Sequence, residues 1–270
     1  MILADYLING QNLTGEHANL IVGTTHFTSI SPRIHSVSVN GRSGVMLPPG
    51  PVAFDAPEIT LKFITDGPDA DTLMHRFYRL CRLASELTRV ERDTISGLTR
   101  RMTASAVCTS CQPDGDEIPW DDHRAATAVF QLPDVFWRGV QWQEATLGAS
   151  GGRLLPGGWL SNAPIGLLVL RFGAATGVTI ADPVSGTNLV WNGKRDTSRS
   201  YLFVDVANRK AWTDSKADAW SGGMDETGGI DWTTEPLQVW PDISSGDYRL
   251  AIKQTGGTDK VACRFLQSWE

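Results

Sequence analysis

Apolar positions recur at alternating spacings of three and four in one long stretch of this chain, residues 69–92, DADTLMHRFYRLCRLASELTRVER. Leu73, Phe77, Leu80, Ala84 and Leu87 make the stripe, widened by Met74, Cys81 and Val90, and such a stripe is what an amphipathic helix turns toward a core. Pro68 suits a first helical turn, Asp66, Asp69 and Asp71 stand where the positive end of the helix dipole would be, and Arg89 and Arg92 stand at the other end. Burying Leu73, Phe77, Leu80 and Leu87 would contribute about 1.5–3 kcal/mol each. The spacing predicts a single helix packed behind a sheet.

Everywhere else the period is two or the runs are short. Residues 2–30 read as short strands broken at Asn9-Gly10, Gly15 and Gly23, and residues 34–39 as a strand ending in the tight-turn pair Asn40-Gly41. Four prolines and three glycines make residues 41–57 an extended loop. Ile59, Leu61 and Phe63 alternate with Thr60, Lys62 and Ile64 in a strand that leads into the helix. Two long alternating segments follow, residues 98–111 and 123–132, joined by QPDGDEIPWD and closed by LPDVFWRG. They predict a long hairpin with small residues on both faces. So little bulk per face suits a wall shared with neighbouring subunits, and a flexible arm fits equally well. Arg101, Thr103, Ser105, Val107, Thr127, Val129 and Gln131 on the arms, with Trp120 in the loop, are the candidates for contacts between subunits.

The run GASGGRLLPGG, residues 148–158, is the expected linker between a first domain of residues 1–147 and a second of residues 159–270. In the second, short strands at 167–172, 178–180, 189–191, 201–206, 237–240, 248–253 and 261–269 are separated by turn signals such as Asp182-Pro183, Asn192-Gly193 and Gly256-Gly257. That rhythm without a helical period indicates an antiparallel sandwich or jelly roll.

Composition narrows the function classes. A net charge of −6 without blocks of like charge disfavours non-specific nucleic-acid binding. The beginning MILADYLING lacks a basic region followed by a long apolar run, so no secretory leader is expected, and the longest apolar run, residues 165–170, is too short to span a bilayer. Four irregularly spaced cysteines suggest reduced thiols made in a cytoplasm. Six of the ten tryptophans follow residue 190, which marks the second half as different in kind.

The order of elements and several phrases (the closing LPDVFWRG, the opening Ala163-Pro164-Ile165 of the second domain, TIADPVSGTNLVWNG, YLFVDVANRKAW) resemble the distal tail proteins, Dit-like minor tail proteins, of long-tailed bacteriophages, especially those infecting actinobacteria. The resemblance covers nearly the whole chain. It implies a tail-tube-like β domain with one helix, followed by a galectin-like or carbohydrate-module-like sandwich. It also implies a virion protein at the tail tip, assembled as a homo-oligomeric ring, usually a hexamer. The implied partners are the tail tube protein, the tail-tip hub protein and the tape measure protein, with DNA passing through the ring unbound. No catalytic site, cofactor or metal comes with it.

Residues that could carry other chemistry have plainer readings. Gly148-Ala149-Ser150-Gly151-Gly152 fits the pattern of a nucleophile elbow, which needs a strand before the serine and a helix after it; Arg153-Leu154-Leu155-Pro156-Gly157 cannot start one, so the linker reading is preferred. Cys108 and Cys111 form a lone C-x-x-C whose sulfurs would converge only through a turn at Thr109-Ser110, so buried thiols are favoured over metal or redox work. Asp66, Asp69 and Asp71, and likewise Asp114, Asp116 and Glu117, lack the spacing of a calcium loop and read as helix cap and solvated turn. Asp225, Glu226, Asp231 and Glu235 near Trp220 and Trp232 invite a glycosidase reading, and loop carboxylates are more often simply solvated. Sugar stacking on Trp220 and Trp232 without hydrolysis is the more plausible form, against tryptophans that fill a core. Arg76, Arg79, Arg82 and Arg89 read as a solvated helix side or a surface for an acidic neighbour. The expected protein is structural, not enzymatic; a carbohydrate-binding module for host adhesion is the alternative.

Overall fold

The structure, a computed structural model, describes residues 2–25, 28–33, 36–38, 40–41, 43, 45–46, 53–95, 97–115, 123–156, 161–194, 198–234, 236–257 and 260–270. It divides into two compact units, Met1–Val140 with Glu270, and Gln141–Trp269. The first unit therefore ends before the glycine-rich run expected as a linker. That run carries strands Gln143–Gly148 and Gly151–Leu155, a tight hairpin of the second unit. Its glycines serve the turn: Gly151 has φ +97° and packs its Cα against the backbone of Leu250.

In the first unit one antiparallel sheet runs in the order Gln11–Asn12, Ile2–Ile8, Glu86–Asp93, Thr99–Ser105, Trp137–Gly139. A second runs Val107–Pro113, His123–Gln131, Glu58–Asp66, Ala18–Leu20. The helix, Ala70–Arg82, lies against the second sheet. It is shorter than its apolar spacing predicts. Leu87 and Val90 belong instead to strand Glu86–Asp93, where seven residues of Ile2–Ile8 pair with it in register. A full ladder on both edges outweighs the local helical phase, which Leu87 shares only by coincidence. The buried face is also rotated by about one residue. Ala70, Met74, Phe77 and Cys81 are buried, while Leu73 and Leu80 lie at its margin. Phe77 stacks on Phe63 of the central strand, ring centroids 4.3 Å apart and planes 16° from parallel.

The segment expected as one arm, residues 98–111, changes sheets at the buried Ala106. Thr99–Ser105 pairs with Glu86–Asp93, and only Val107–Pro113 pairs with His123–Gln131. Small residues line that passage: Ala104 and Ala106 are both buried where the chain leaves one sheet for the other.

The second unit is one continuous antiparallel sheet of ten strands in the order Asn188–Trp191, Gly177–Ala181, Tyr248–Thr255, Gly151–Leu155, Gln143–Gly148, Lys260–Phe265, Leu168–Gly173, Tyr201–Asp205, Lys210–Asp214, Met224–Asp225. It curls until its two ends approach: Trp191 bridges to Ile230, and the Asn192 N–H donates to the Gly229 carbonyl at 2.8 Å. A large apolar cluster fills the interior, including Trp191, Phe172, Tyr248 and Phe265. The fully buried Trp191 donates its indole N–H to the Glu226 carbonyl at 2.8 Å, so this tryptophan is a structural post. Residues 237–240, expected as a strand, contribute only an isolated bridge between Val239 and Ile165. Mainly antiparallel β structure with one helix is what the hydrophobic pattern predicts.

Candidate functional site

Strand Val107–Pro113 is the outer strand of its sheet, so one row of its backbone N–H and C=O groups faces away from the ladder. Val107, 53% exposed at its start, is the direct cross-strand partner of exposed Gln131. Thr127, Val129 and Gln131 share the face opposite the buried Ala126, Ala128 and Phe130, hence the face away from the helix. The Thr127 hydroxyl donates to both Asp114 carboxylate oxygens, at 2.6 and 2.8 Å, tying the base of the loop to the strand. Arg101, Thr103 and Ser105 stand on the other sheet, inside the ladder, with Arg101 and Ser105 exposed and Thr103 half-buried. The Ser105 hydroxyl donates to Asp134 at 2.6 Å. The expected contact residues thus fall into two groups on two sheets. Trp120, Asp116 and Glu117 lie outside the described residues.

The same outer strand brings together groups that strand alternation alone would separate. Its register shifts by one residue between Cys108 and Ser110. Cys108 pairs with Phe130 and Cys111 with Ala128, and both partners point to the helix. The bulge therefore supplies the convergence that Cys108 and Cys111 require. Cys81, buried on the helix, completes a group of three thiols. An open cavity of about 460 Å³ beside them is lined by Tyr78, Arg82, Cys108, Thr109, Ser110 and Pro113, with Cys111 also on its wall. A hydrogen bond from Cys81 and the positive charge of Arg82 draw the Cys111 thiol below its usual range, whereas the hydrogen bond to Cys111 and burial push Cys81 up. Among the described residues no group of three or more His, Cys, Asp or Glu side chains is arranged to hold a metal ion.

In the second unit a half-open cavity of about 500 Å³ is lined by Trp142, Trp212, Trp220, Asn208, Lys210 and Asp225, among others. Trp212 is committed to packing: it stacks flat on Phe203 and donates its N–H to the Ala219 carbonyl at 2.8 Å. Trp220 stands edge-on to Phe203, with the guanidinium carbons of Arg171 and Arg264 5.4 and 4.7 Å from its ring centre. Trp142 is 51% exposed on the rim. Trp232, 59% exposed, lies apart from this cavity and has Arg209 4.9 Å from its ring centre. Trp220 and Trp232 are therefore not brought together, and Trp142, which no sequence pattern singled out, joins Trp220 in their place.

The remaining candidates resolve into local structure. Ser150 sits in the turn between two strands, a strand–turn–strand geometry in place of an elbow. Asp225 and Asp231 each accept the backbone N–H two residues on, from Thr227 at 3.0 Å and Thr233 at 2.9 Å. The hydroxyls of the same threonines, and after them those backbone bonds, hold both carboxyls below the usual range. Glu226 accepts from the Thr213 hydroxyl at 3.4 Å, and Glu235 lies outside the described residues. Asp66 pairs with His17 at 2.8 Å and Asp71 with Arg124 at 2.7 Å, so these carboxylates diverge; Asp69 is the helix cap position. Arg76, Arg79 and Arg82 are exposed along the helix, but Arg89 is 2% exposed in a strand, paired with Glu91.

No family model and no curated protein matches this chain. Among solved structures it is similar to the Dit protein (gp 19.1) of phage SPP1, described as a paradigm of the hub adsorption apparatus in phages infecting Gram-positive hosts. The TM-score is 0.61 at 15% identity, over 99% of this chain and 100% of that one. A chain of the phage P2 baseplate in its activated conformation with Ca matches at a TM-score of 0.41 and 10% identity, over 98% of each. The chain has the fold of the SPP1 Dit protein throughout its length.

Proposed function

We propose that this protein is a structural component of a phage tail tip: a distal tail subunit whose first unit builds a ring between the tail tube and the hub. The observation that carries the reading is correspondence over both units at once, 99% of this chain and 100% of the SPP1 Dit protein, which is described as part of a hub adsorption apparatus. The first unit offers what ring closure needs. A ring of identical subunits joins two different surfaces head to tail. The outer strand Val107–Pro113 with Val107 and Gln131 is one such surface, and the exposed Arg101 and Ser105 on the other sheet belong to another. A hexamer is the expected closure, with tube, hub and tape measure proteins as neighbours. An acidic subunit, net charge −6, suits a channel through which DNA passes without being held. No step in this role requires bond making or breaking.

Negative-stain microscopy with light-scattering mass, on the protein alone and with its tube and hub partners, tests the proposal. Rings with a central hole and hexameric mass are expected; a monomer under both conditions would overturn it. Replacing residues 113–119 by a short turn should impair tail assembly.

A second reading is favoured by the cavity with Trp142 and Trp220 on its wall and Asn208, Lys210 and Asp225 within reach of hydroxyls. The second unit would bind surface carbohydrate by stacking and hydrogen bonding. A glycan array with the full chain should retain a saccharide that Trp142→Ala loses, and a blank array would remove this reading while leaving the ring untouched.

A further inference from the structure

Three of the four cysteines are placed in a way the structural role leaves unused. Cys81 comes from the last turn of the helix, and Cys108 and Cys111 from the bulged outer strand. All four cysteines are free thiols. Cys81 is 1% exposed, so a reagent in solution meets Cys111 and Cys108 first. The cavity of about 460 Å³ beside them is large enough for a peptide-sized thiol compound, and Arg82 on its rim carries a positive charge toward an incoming carboxylate. Cys108 is occupied with its own strand, donating its thiol to the Ser110 carbonyl at 3.2 Å across the bulge. Cys81 lies beside both strand thiols, but the Arg82 charge acts on Cys111, whose sulfur is not engaged by its own strand in this way.

We propose that this cluster is a thiol–disulfide exchange site for low-molecular-weight disulfides such as oxidised glutathione, which converts Cys81 and Cys111 into a covalent staple between the helix and the outer strand. Cys111 is the attacking sulfur, because it is accessible where Cys81 is buried, sits beside Arg82 and is not tied to a backbone carbonyl as Cys108 is. Its thiolate attacks one sulfur of oxidised glutathione, forming a mixed disulfide on Cys111 and releasing one glutathione thiolate. Cys81 Sγ then attacks Cys111 Sγ. The bond to glutathione breaks, and the second glutathione leaves as a thiolate that takes up the Cys81 proton. One small disulfide is thereby reduced to two thiols while Cys81 and Cys111 are oxidised to one disulfide. The two-step order follows from burial, since Cys81 reaches the oxidant only through Cys111. The staple would form when a protein made under reducing conditions meets an oxidising medium, and it would lock the outermost strand of the sheet to the helix. It does not depend on the ring.

The test is incubation of the full-length protein with oxidised glutathione, acid quench, alkylation under denaturing conditions and peptide mapping by mass spectrometry. Two of the four thiols should disappear, no glutathione should be retained, and the peptides carrying Cys81 and Cys111 should be found linked. Cys108→Ser should still form the link. Cys111→Ser should keep its remaining thiols, and Cys81→Ser should accumulate glutathione on Cys111. Four intact thiols in the wild-type protein, a lasting glutathione adduct on it, or a Cys108–Cys111 link in place of the Cys81–Cys111 link would each overturn the proposal. Circular dichroism of each variant shows whether it has folded, so that a lost link in a misfolded variant is set aside in favour of the Cys108→Ser and wild-type results, which decide alone.

Discussion

Phe77 is the side chain through which the helix is fastened to its sheet, and truncating it should loosen both. It is 1% exposed and stacks on Phe63, itself 3% exposed on the strand between His123–Gln131 and Ala18–Leu20. Removing a buried phenyl ring loses its transfer free energy and leaves a cavity, about 3–5 kcal/mol for Phe→Ala. Stacking accounts for about 0.5–1.5 kcal/mol of that. Phe77→Leu keeps most of the volume and should cost about 1–1.5 kcal/mol. Because two units need not unfold together, a single melting curve is the wrong assay. Hydrogen exchange with mass spectrometry reads the opening of peptides from strand 58–66 and helix 70–82 directly. Phe77→Ala should speed their protected exchange about a hundredfold or more, at tenfold per 1.4 kcal/mol. Peptides of the curled sheet should be unchanged. In a double-mutant cycle, Phe63→Leu and Phe77→Leu should couple by about 0.5–1.5 kcal/mol. Wild-type exchange in the helix of Phe77→Ala, or strictly additive Leu substitutions, would refute a helix held by this ring pair.

Three further outcomes separate packing from chemistry. Gly151→Ala should destabilise the second unit by more than about 1 kcal/mol, since φ is +97° and a Cβ would stand 2.0 Å from the Leu250 carbonyl oxygen; exposed Ser150→Ala should stay within about 0.5 kcal/mol by urea titration. Gly229→Ala should unseat Trp191, because its Cβ would lie 2.6 Å from the indole nitrogen, and a red-shifted tryptophan emission would report it. Tyr6, fully buried with its hydroxyl donating to the Thr25 carbonyl at 2.9 Å, has its phenol pushed up to about 12, by burial first and despite nearby Arg89. A raised folded-state value means that the neutral phenol stabilises the fold at all pH below the ordinary value of 10.0. That contribution is lost as pH rises from there toward 12. Alkaline unfolding in this window should be delayed relative to tyrosinate formation at exposed sites, and Tyr6→Phe should remove the Tyr6 share of the pH dependence.

Much of the architecture was legible along the chain because it rests on local periodicity. Ile59, Leu61 and Phe63 alternate in the sequence and are buried together in the strand. The helix announces itself through Leu73, Phe77 and Leu80, widened by Met74 and Cys81, and the short strands of the second unit through their turn residues. Where a segment has two compatible periods, the sequence could not arbitrate. Leu87 fits the helical stripe and also the alternation of Glu86–Asp93, and only pairing with Ile2–Ile8, nearly eighty residues away, decides for the strand. The glycine-rich run reads as a linker for the same reason, since nothing local reveals that Gly151 must pass close to Leu250.

The site residues divide along that line. Mainly antiparallel β structure, a single amphipathic helix, a net acidic charge and the identity of the reactive side chains were determined by the sequence itself, through spacing and composition. Which of those side chains meet was decided by the tertiary structure. A one-residue bulge turns Cys108 and Cys111 to the same face opposite Cys81. The curl of the ten-stranded sheet buries Trp191 and leaves Trp142 on a rim beside Trp220, with Trp232 elsewhere. Contacts across such distances in sequence are settled by the register and curvature of whole sheets, which no short window of residues encodes.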